Sequence, residues 1–307
     1  MIAPNFTLTL QTPDGQTHQI PFTAGMTRTA AGVTVPKTNS RPNPAYGAIT
    51  VQRPLGESWY NGMLIELKRR FSGGFALNIA YTLSKAENTS GYASGYGSGP
   101  ETGYGGSSVM NQFDIMSSKG TAPTDQRHRL VGNMVWAPNF HSSVGALDAL
   151  VRNYSFATIV TAESGRPYSA EFNIGTINFT APDGSQWQGL AGGTFGMGGL
   201  PLVPWLPRNG NYGPWKLIWD ARVSRRFQLS ERFAFELMAE GFNLLNHPNY
   251  FGNNYNLYSI PTTNATMPVA TPIVLTQYAN WGWPNQTGVP PDGTSARRFQ
   301  LSARFHF

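Results

Sequence analysis

The sequence predicts an all-β chain, and three observations predict it. Apolar and polar side chains alternate with a period of two over many stretches, the pattern of a strand with one dry and one wet face. The connections between those stretches are alternately very short and very long. Charged residues make up only 12% of the 307 residues, aromatic residues reach 13%, and Gly and Pro number 34 and 23, the chemistry of strands joined by turn-rich loops. Ordinary soluble domains carry roughly twice that charge, and sandwiches do not sort their loops by length. The expected architecture is a portion of an antiparallel transmembrane β-barrel with short periplasmic turns and long extracellular loops.

The elements follow in chain order. "FTLTLQTPDGQTHQIPF" reads as a hairpin around Asp14-Gly15, with strands near 5–12 and 17–22. In "NGMLIELKRRF" Met63, Ile65 and Leu67 oppose Glu66 and Lys68, a strand near 60–70. In "FALNIAYTLSK" Phe75, Leu77, Ile79, Tyr81 and Leu83 oppose Asn78, Thr82 and Ser84, a strand near 75–86. "RHRLVGNMVWAP" and "NYSFATIVTAESG" supply β-type residues near 127–137 and 150–163, bounded by Pro138 and Gly165. "LIWDARVSRRF" sets Leu217, Trp219, Ala221 and Val223 against Asp220, Arg222 and Ser224, near 216–227. "RFAFELMAEGF" sets Phe233, Phe235, Leu237 and Ala239 against Glu236 and Glu240, near 232–245. The last stretch, "RRFQLSARFHF", alternates without error: Phe299, Leu301, Ala303, Phe305 and Phe307 against Arg298, Gln300, Ser302, Arg304 and His306, near 298–307. These make about nine strands.

"FSGG" and "QLSER" are tight turns, whereas 23–59, 87–125, 164–215 and 246–296 are long connections. A barrel with that layout turns Phe75, Leu77, Ile79, Trp219, Val223, Phe233, Phe235 and Leu237 to lipid, and Glu66, Asp220, Arg222, Glu236 and Glu240 to the lumen. In an antiparallel series of odd number the first and last strands point the same way and cannot pair antiparallel. Open edges in lipid leave backbone groups unpaired at several kcal/mol each. Residues 1–307 therefore read as one domain, the C-terminal strands of a larger barrel. "RRFQLS" occurs at 225–230 and 297–302, closing a strand once and opening one the second time, so it is not a repeat unit.

Other classes receive little support. No apolar run reaches the roughly 18 residues of a transmembrane helix, which leaves spanning strands open. "MIAPNFTLTL" has neither the basic nor the apolar region of a signal peptide. The absence of cysteine fits an envelope route. The net charge of +6 is scattered, with no basic helix or zinc spacing, so no nucleic-acid partner is expected. There is no G-x-S-x-G, H-E-x-x-H or phosphate loop, so neither enzymatic activity nor a cofactor is expected. His128 lies between Arg127 and Arg129, beside Asp125, and reads as a polar cluster where a loop enters a strand, since flanking arginines disfavour a bound cation. His247 in "NHPNY" reads as a turn residue. Glu236 and Glu240 stand about 13 Å apart along a strand, too far for a glycosidase pair, and read as lumen-wall charges. Trp205, Trp215, Trp281 and Trp283, with Tyr92, Tyr96 and Tyr104, lie in long loops. They are candidate contacts for sugars or large organic ligands, with loop packing or an interfacial girdle as the alternatives.

"DQRHRL" at 125–130, "ESGRPYS" at 163–169 and "GPWKLIWDARVSRRFQLSERFAFELMAEGFNLLNHPNY" at 213–250 resemble the barrel of TonB-dependent outer-membrane receptors. The nearest kind is the Oar-like group, whose full members carry an N-terminal carboxypeptidase-regulatory-like domain. "FNLLNHPNY" is the most specific stretch, and the resemblance covers roughly 40–307. It implies import of a large scarce ligand, energised by TonB acting on a plug inside the barrel. It also implies a signal peptide, that plug and a TonB-binding box. None is read in this sequence, so the chain is expected not to transport alone. The implied partners are outer-membrane lipid, the barrel-assembly machinery, a large ligand, and TonB only through a plug. Two alternatives stand beside it: a small porin or surface adhesin, and a soluble secreted β-sandwich that binds carbohydrate.

The terminal Phe307 resembles that family's C-terminal assembly signal, with Phe299, Leu301 and Phe305 on the same stripe. In a full-length receptor with this C-terminus, deleting Phe307 is expected to cut outer-membrane insertion sharply, and His306→Ala to change it little. Heat-modifiable mobility of the membrane fraction measures both. Equal insertion of the two variants overturns the assembly reading.

Overall fold

The structure, a computed structural model, describes residues 5–23, 27–30, 33–36, 56–89, 115–141, 143–174, 177–180, 186–189, 202–261, 263–266, 272–287 and 296–307. Seven long strands form a wall: β1 (Ser58–Ser72), β2 (Phe75–Asn88), β3 (His128–Trp136), β4 (Tyr154–Glu163), β5 (Lys216–Gln228), β6 (Ala234–Phe242) and β7 (Arg298–His306). Each pairs antiparallel with the next in sequence. They run from 9 to 15 residues, which suits a tilted strand crossing a bilayer.

Register alone sorts the faces, because residues paired across an antiparallel ladder point the same way. Leu67 pairs with Ile79, Phe75 with Trp136, Trp136 with Phe156, Val223 with both Phe156 and Ala239, and Phe235 with Phe305. These chains of partners make one apolar face from β1 to β7. On the other face Arg222, Glu240 and Gln300 form one row, and Arg226, Glu236 and Arg304 another. Ion pairs lace it: Arg129–Glu163 at 3.0 Å, Arg222–Glu240 at 3.8 Å and His306–Glu236 at 3.2 Å. The expected sorting holds within the strands, with Phe235 and Glu236 on opposite faces and Glu66, Asp220, Arg222 and Glu240 on the polar one. Phe233 lies in the turn just before β6.

Among the described residues the wall has seven long strands rather than about nine, with the two-residue strand Gly120–Thr121 also paired to the end of β2. Asn5–Gln11 and Thr17–Thr23 form the expected hairpin, but it stands in a separate sheet with Ile273–Val274. At 7 residues each, those strands fall short of the roughly 9–11 that cross a bilayer. Their apolar residues Leu8 and Leu10 are fully buried in a core outside the wall.

The connections are sorted by length to the two ends. Residues 73–74, 137–153 and 229–233 join strands at one end; 89–127, 164–215 and 243–297 join them at the other. The 137–153 connection holds one short helix, Gly145–Val151. The 73–74 turn requires glycine: Gly74 has φ +77°, and a Cβ there would meet the Ala137 carbonyl oxygen at 2.3 Å.

The hydrophobic core lies at the long-connection end. Leu8, Leu10, Ala170, Phe172, Val203, Leu257, Ile260, Ile273 and Leu275 pack together. The N-terminal hairpin and two long connections supply them, with Glu171–Ile174 pairing parallel to Asn256–Ile260. The long connections thus fold into a cap with its own interior. Most large apolar residues of the wall lie on the apolar face, where Ile65, Leu237 and Phe305 are exposed, while Leu64, Ile159 and Ile218 stand on the polar one. Its two edges, β1 and β7, pair with no further strand among the described residues and run in the same direction.

Candidate functional site

The four loop tryptophans separate into two kinds. Trp205 lies flat on His18, ring centroids 3.8 Å apart and planes 5° from parallel, with its edge contact to Phe172 at 5.7 Å. Trp281 packs against the same core and stands 6.3 Å from Tyr168. Both are cap packing. Trp215 is 52% exposed and Trp283 66% exposed. Trp215 stacks on His128 at 5.7 Å, and the Nδ1 of His128 hydrogen-bonds the Tyr81 hydroxyl at 2.8 Å. This row of rings stands where the long connections enter the wall. Trp283 is held by a turn in which its N–H donates to Asn280 O and its carbonyl accepts from Asn254 N. Tyr92, Tyr96 and Tyr104 lie outside the described residues. Of these four, Trp215 and Trp283 are the ones left open to a ligand.

Two of the distinctive sequence stretches meet at the mouth of the wall. From "DQRHRL", Arg129 Nε donates to Glu163 Oε1 and Gln126 Nε2 to Glu163 Oε2, both at 3.0 Å. The His128 N–H donates to Ser164 Oγ at 3.1 Å. Glu163 and Ser164 open "ESGRPYS". Asp125 accepts from the Ala86 N–H at 2.6 Å, and the Arg127 Nη2 lies 3.7 Å from its other oxygen. The cluster ties β2, β3 and β4 together, and it is the polar loop-to-strand junction expected around His128.

The third stretch, "FNLLNHPNY", closes the exit of β6. Asn243 has φ +47°, a left-handed conformation that Asn tolerates. Its side chain accepts from His247 N at 3.2 Å and donates to His247 O at 3.0 Å. Asn249 then acts as a substitute strand. Its Oδ1 accepts from Leu217 N at 2.8 Å and its Nδ2 donates to Leu217 O at 3.2 Å. His247 is a turn residue within this knot. Replacing Asn249 with alanine leaves the Leu217 amide and carbonyl unpaired and is expected to cost about 2 kcal/mol. Urea titration of the folded band, read by heat-modifiable migration, measures it, and an unchanged midpoint overturns this role.

Two buried charges inside the cap were not legible in the sequence. Arg208 is 4% exposed. Its Nε donates to Ser118 O at 2.6 Å, and its Nη2 to Asn88 Oδ1 at 2.5 Å, to Gly120 O at 3.1 Å and to Asn88 O. Burial pushes its guanidinium down to about 10. The next residue, Asn209, is fully buried and exchanges hydrogen bonds with Ser169 while donating to Thr121 O at 2.7 Å. Together they fasten the 202–210 segment to the end of β2 and the 115–121 segment. Glu171 is 8% exposed, and its Oε1 has no hydrogen-bond partner among the described residues. Burial pushes its carboxyl up to about 7. The half-buried phenol of Tyr255, raised by burial and by the Glu171 charge, packs edge-on against the buried ring of Tyr168, whose phenol is likewise raised by burial. Among the described residues no three His, Asp or Glu gather closely enough to hold a metal ion.

A family model described as an outer membrane beta barrel domain matches residues 7–271. No curated protein and no solved structure matches the chain. No helix among the described residues is long and apolar enough to cross a membrane, a finding that leaves spanning strands untouched.

Proposed function

We propose that this chain, which belongs to the outer membrane beta barrel domain family, is the C-terminal wall of a TonB-dependent receptor barrel of the Oar-like group. It resides in the outer membrane, so its apolar face meets lipid and its polar face meets water. The observation that carries the reading is the conjunction of a wall of seven long strands, open among the described residues, with long connections folded into a cap. The parallel directions of β1 and β7 forbid their antiparallel closure, and further strands of a receptor barrel would complete the wall. The cap presents Trp215 and Trp283, which would stack on a large organic ligand. The polar face would line the lumen around a plug, through which alone TonB would act. The chain would be delivered by the barrel-assembly machinery, and as a transport wall it needs no catalytic group.

Uptake of candidate ligands by cells expressing a full-length receptor that contains this chain, with and without TonB, tests this. Import is expected to vanish without TonB and to be absent for residues 1–307 alone. TonB-independent uptake, or active uptake by the isolated chain, overturns the reading. The porin alternative predicts a steady open conductance in a planar bilayer. The soluble carbohydrate-binding alternative does not survive the outer-membrane family.

A further inference from the structure

The apolar face has a charge embedded in it. Register sets Arg225 of β5 opposite Tyr154 on one side and Leu237 on the other, so it shares the lipid face. Its guanidinium carbon lies 4.5 Å from the Phe227 ring centroid and 5.1 Å from that of Tyr154. Rings continue on both sides. Phe140 meets Trp136 at 5.8 Å, Trp136 meets Phe156 at 5.4 Å, and Phe156 meets Tyr154 at 6.2 Å. Beyond Arg225, Phe227 meets Phe235 at 6.3 Å and Phe235 meets Phe305 at 4.9 Å. The result is an aromatic belt across β3 to β7 at the short-turn end, with one arginine in its middle.

An aromatic belt at this depth is ordinary for a membrane barrel. A cation inside it is not, and its position explains how it is tolerated. A lipid-facing Arg is costly at the bilayer midplane and nearly free near the interface. Arg225 stands three residues before the end of β5 at Gln228, near the short-turn rim, where an aromatic belt marks the interface of a membrane barrel. A planar guanidinium flanked by rings suits phosphate, whose oxygens match its fork of donors. Arg69, on the same face near the end of β1, and Arg232, in the 229–233 turn, add positive charge at this rim, which favours a lipid with net negative charge. Arg69 repeats the motif in smaller form, 5.2 Å from the Phe75 ring on the same face.

We propose that Arg225, framed by Tyr154 and Phe227, binds the phosphate of an anionic phospholipid in the leaflet at the short-turn rim. This rests on the barrel family alone and stands whether or not the receptor reading does. The test is native mass spectrometry of the folded chain in mixed micelles of phosphatidylglycerol and phosphatidylcholine. The wild type is expected to retain phosphatidylglycerol preferentially. Arg225→Gln is expected to lower that retention about fivefold, matching about 1 kcal/mol per basic residue at an anionic surface. Arg226→Gln, the neighbouring position on the opposite face, is expected to keep it. Inorganic phosphate added to zwitterionic micelles is expected not to bind, which separates lipid from free anion. If Arg225→Gln does not fold, the double variant Tyr154→Leu, Phe227→Leu strips the rings and is expected to lose most of the preference. Unchanged phosphatidylglycerol retention in the variant that folds, an equal loss in Arg226→Gln, or binding of inorganic phosphate overturns the proposal.

Discussion

Arg208→Ala is expected to release the cap from the wall while leaving the wall strands paired. The arginine is buried, and its donors serve the carbonyls of Asn88, Ser118 and Gly120 and the Asn88 side chain. Alanine removes every donor and leaves those acceptors dry, each costing about 1–3 kcal/mol. Relaxation and water entry reduce the sum, so the expected loss of local stability is about 3 kcal/mol, or roughly a hundredfold more opening. Hydrogen exchange at 115–121 and 202–210, set against exchange in β5 and β6, is the measurement. Lysine is expected to rescue little, because a point charge cannot reach the same carbonyls as a planar fork. Exchange in the cap indistinguishable from wild type overturns the fastening role. With its guanidinium at about 10, Arg208 stays charged through neutral pH, so this effect is expected to be flat between pH 5 and pH 8.

Glu171 supplies the opposite behaviour. Its carboxyl is raised by burial to about 7 from an ordinary 4.5, so the folded cap prefers the neutral acid. Below pH 4.5 the group is neutral in folded and unfolded chains, and burial carries no ionic cost. Above pH 7 it is ionised in both, and the folded state bears the full desolvation. Cap stability is therefore expected to fall as pH rises from about 4.5 to about 7, by about 3 kcal/mol, and to level off beyond. Glu171→Gln keeps the shape of the neutral acid and is expected to abolish the slope. The variant should match wild type at pH 4 and exceed it at pH 8. Urea unfolding of the cap across that range, followed by Trp205 and Trp281 fluorescence, measures both curves. Parallel curves for wild type and variant overturn the assignment.

The wall was legible in the sequence and the cap was not. Five strands of the wall appear where two-residue alternation placed them, β3 and β4 appear where β-type composition bounded by Pro138 and Gly165 placed them, and the partition of Phe235 from Glu236 holds. A membrane-spanning strand has one face in lipid, so its pattern is written locally and needs no partner to be read. The hairpin around Asp14-Gly15 carries an equally strand-like local signal. Its place in a separate sheet depends on Leu8 and Leu10 meeting Ile273 and Leu275, some 260 residues away along the chain.

The candidate site divides the same way. That loop tryptophans stood out, and that His128 and His247 were polar and turn residues, could be read one residue at a time. Which tryptophans remain exposed could not, because Trp205 is taken by His18 and Phe172 and Trp281 by the core, all contacts between distant segments. Arg208, Asn209 and Glu171 sit in loop composition without periodicity, and only burial gives them roles. The strand faces and the aromatic stripe of β7 are written along single strands, and the sorting of short and long connections is written in the spacing between them. Which of the expected strands join the wall, the cap's interior and the setting of Arg225 among the rings of neighbouring strands came from tertiary structure. Those depend on register and burial between segments that sequence spacing does not bring together.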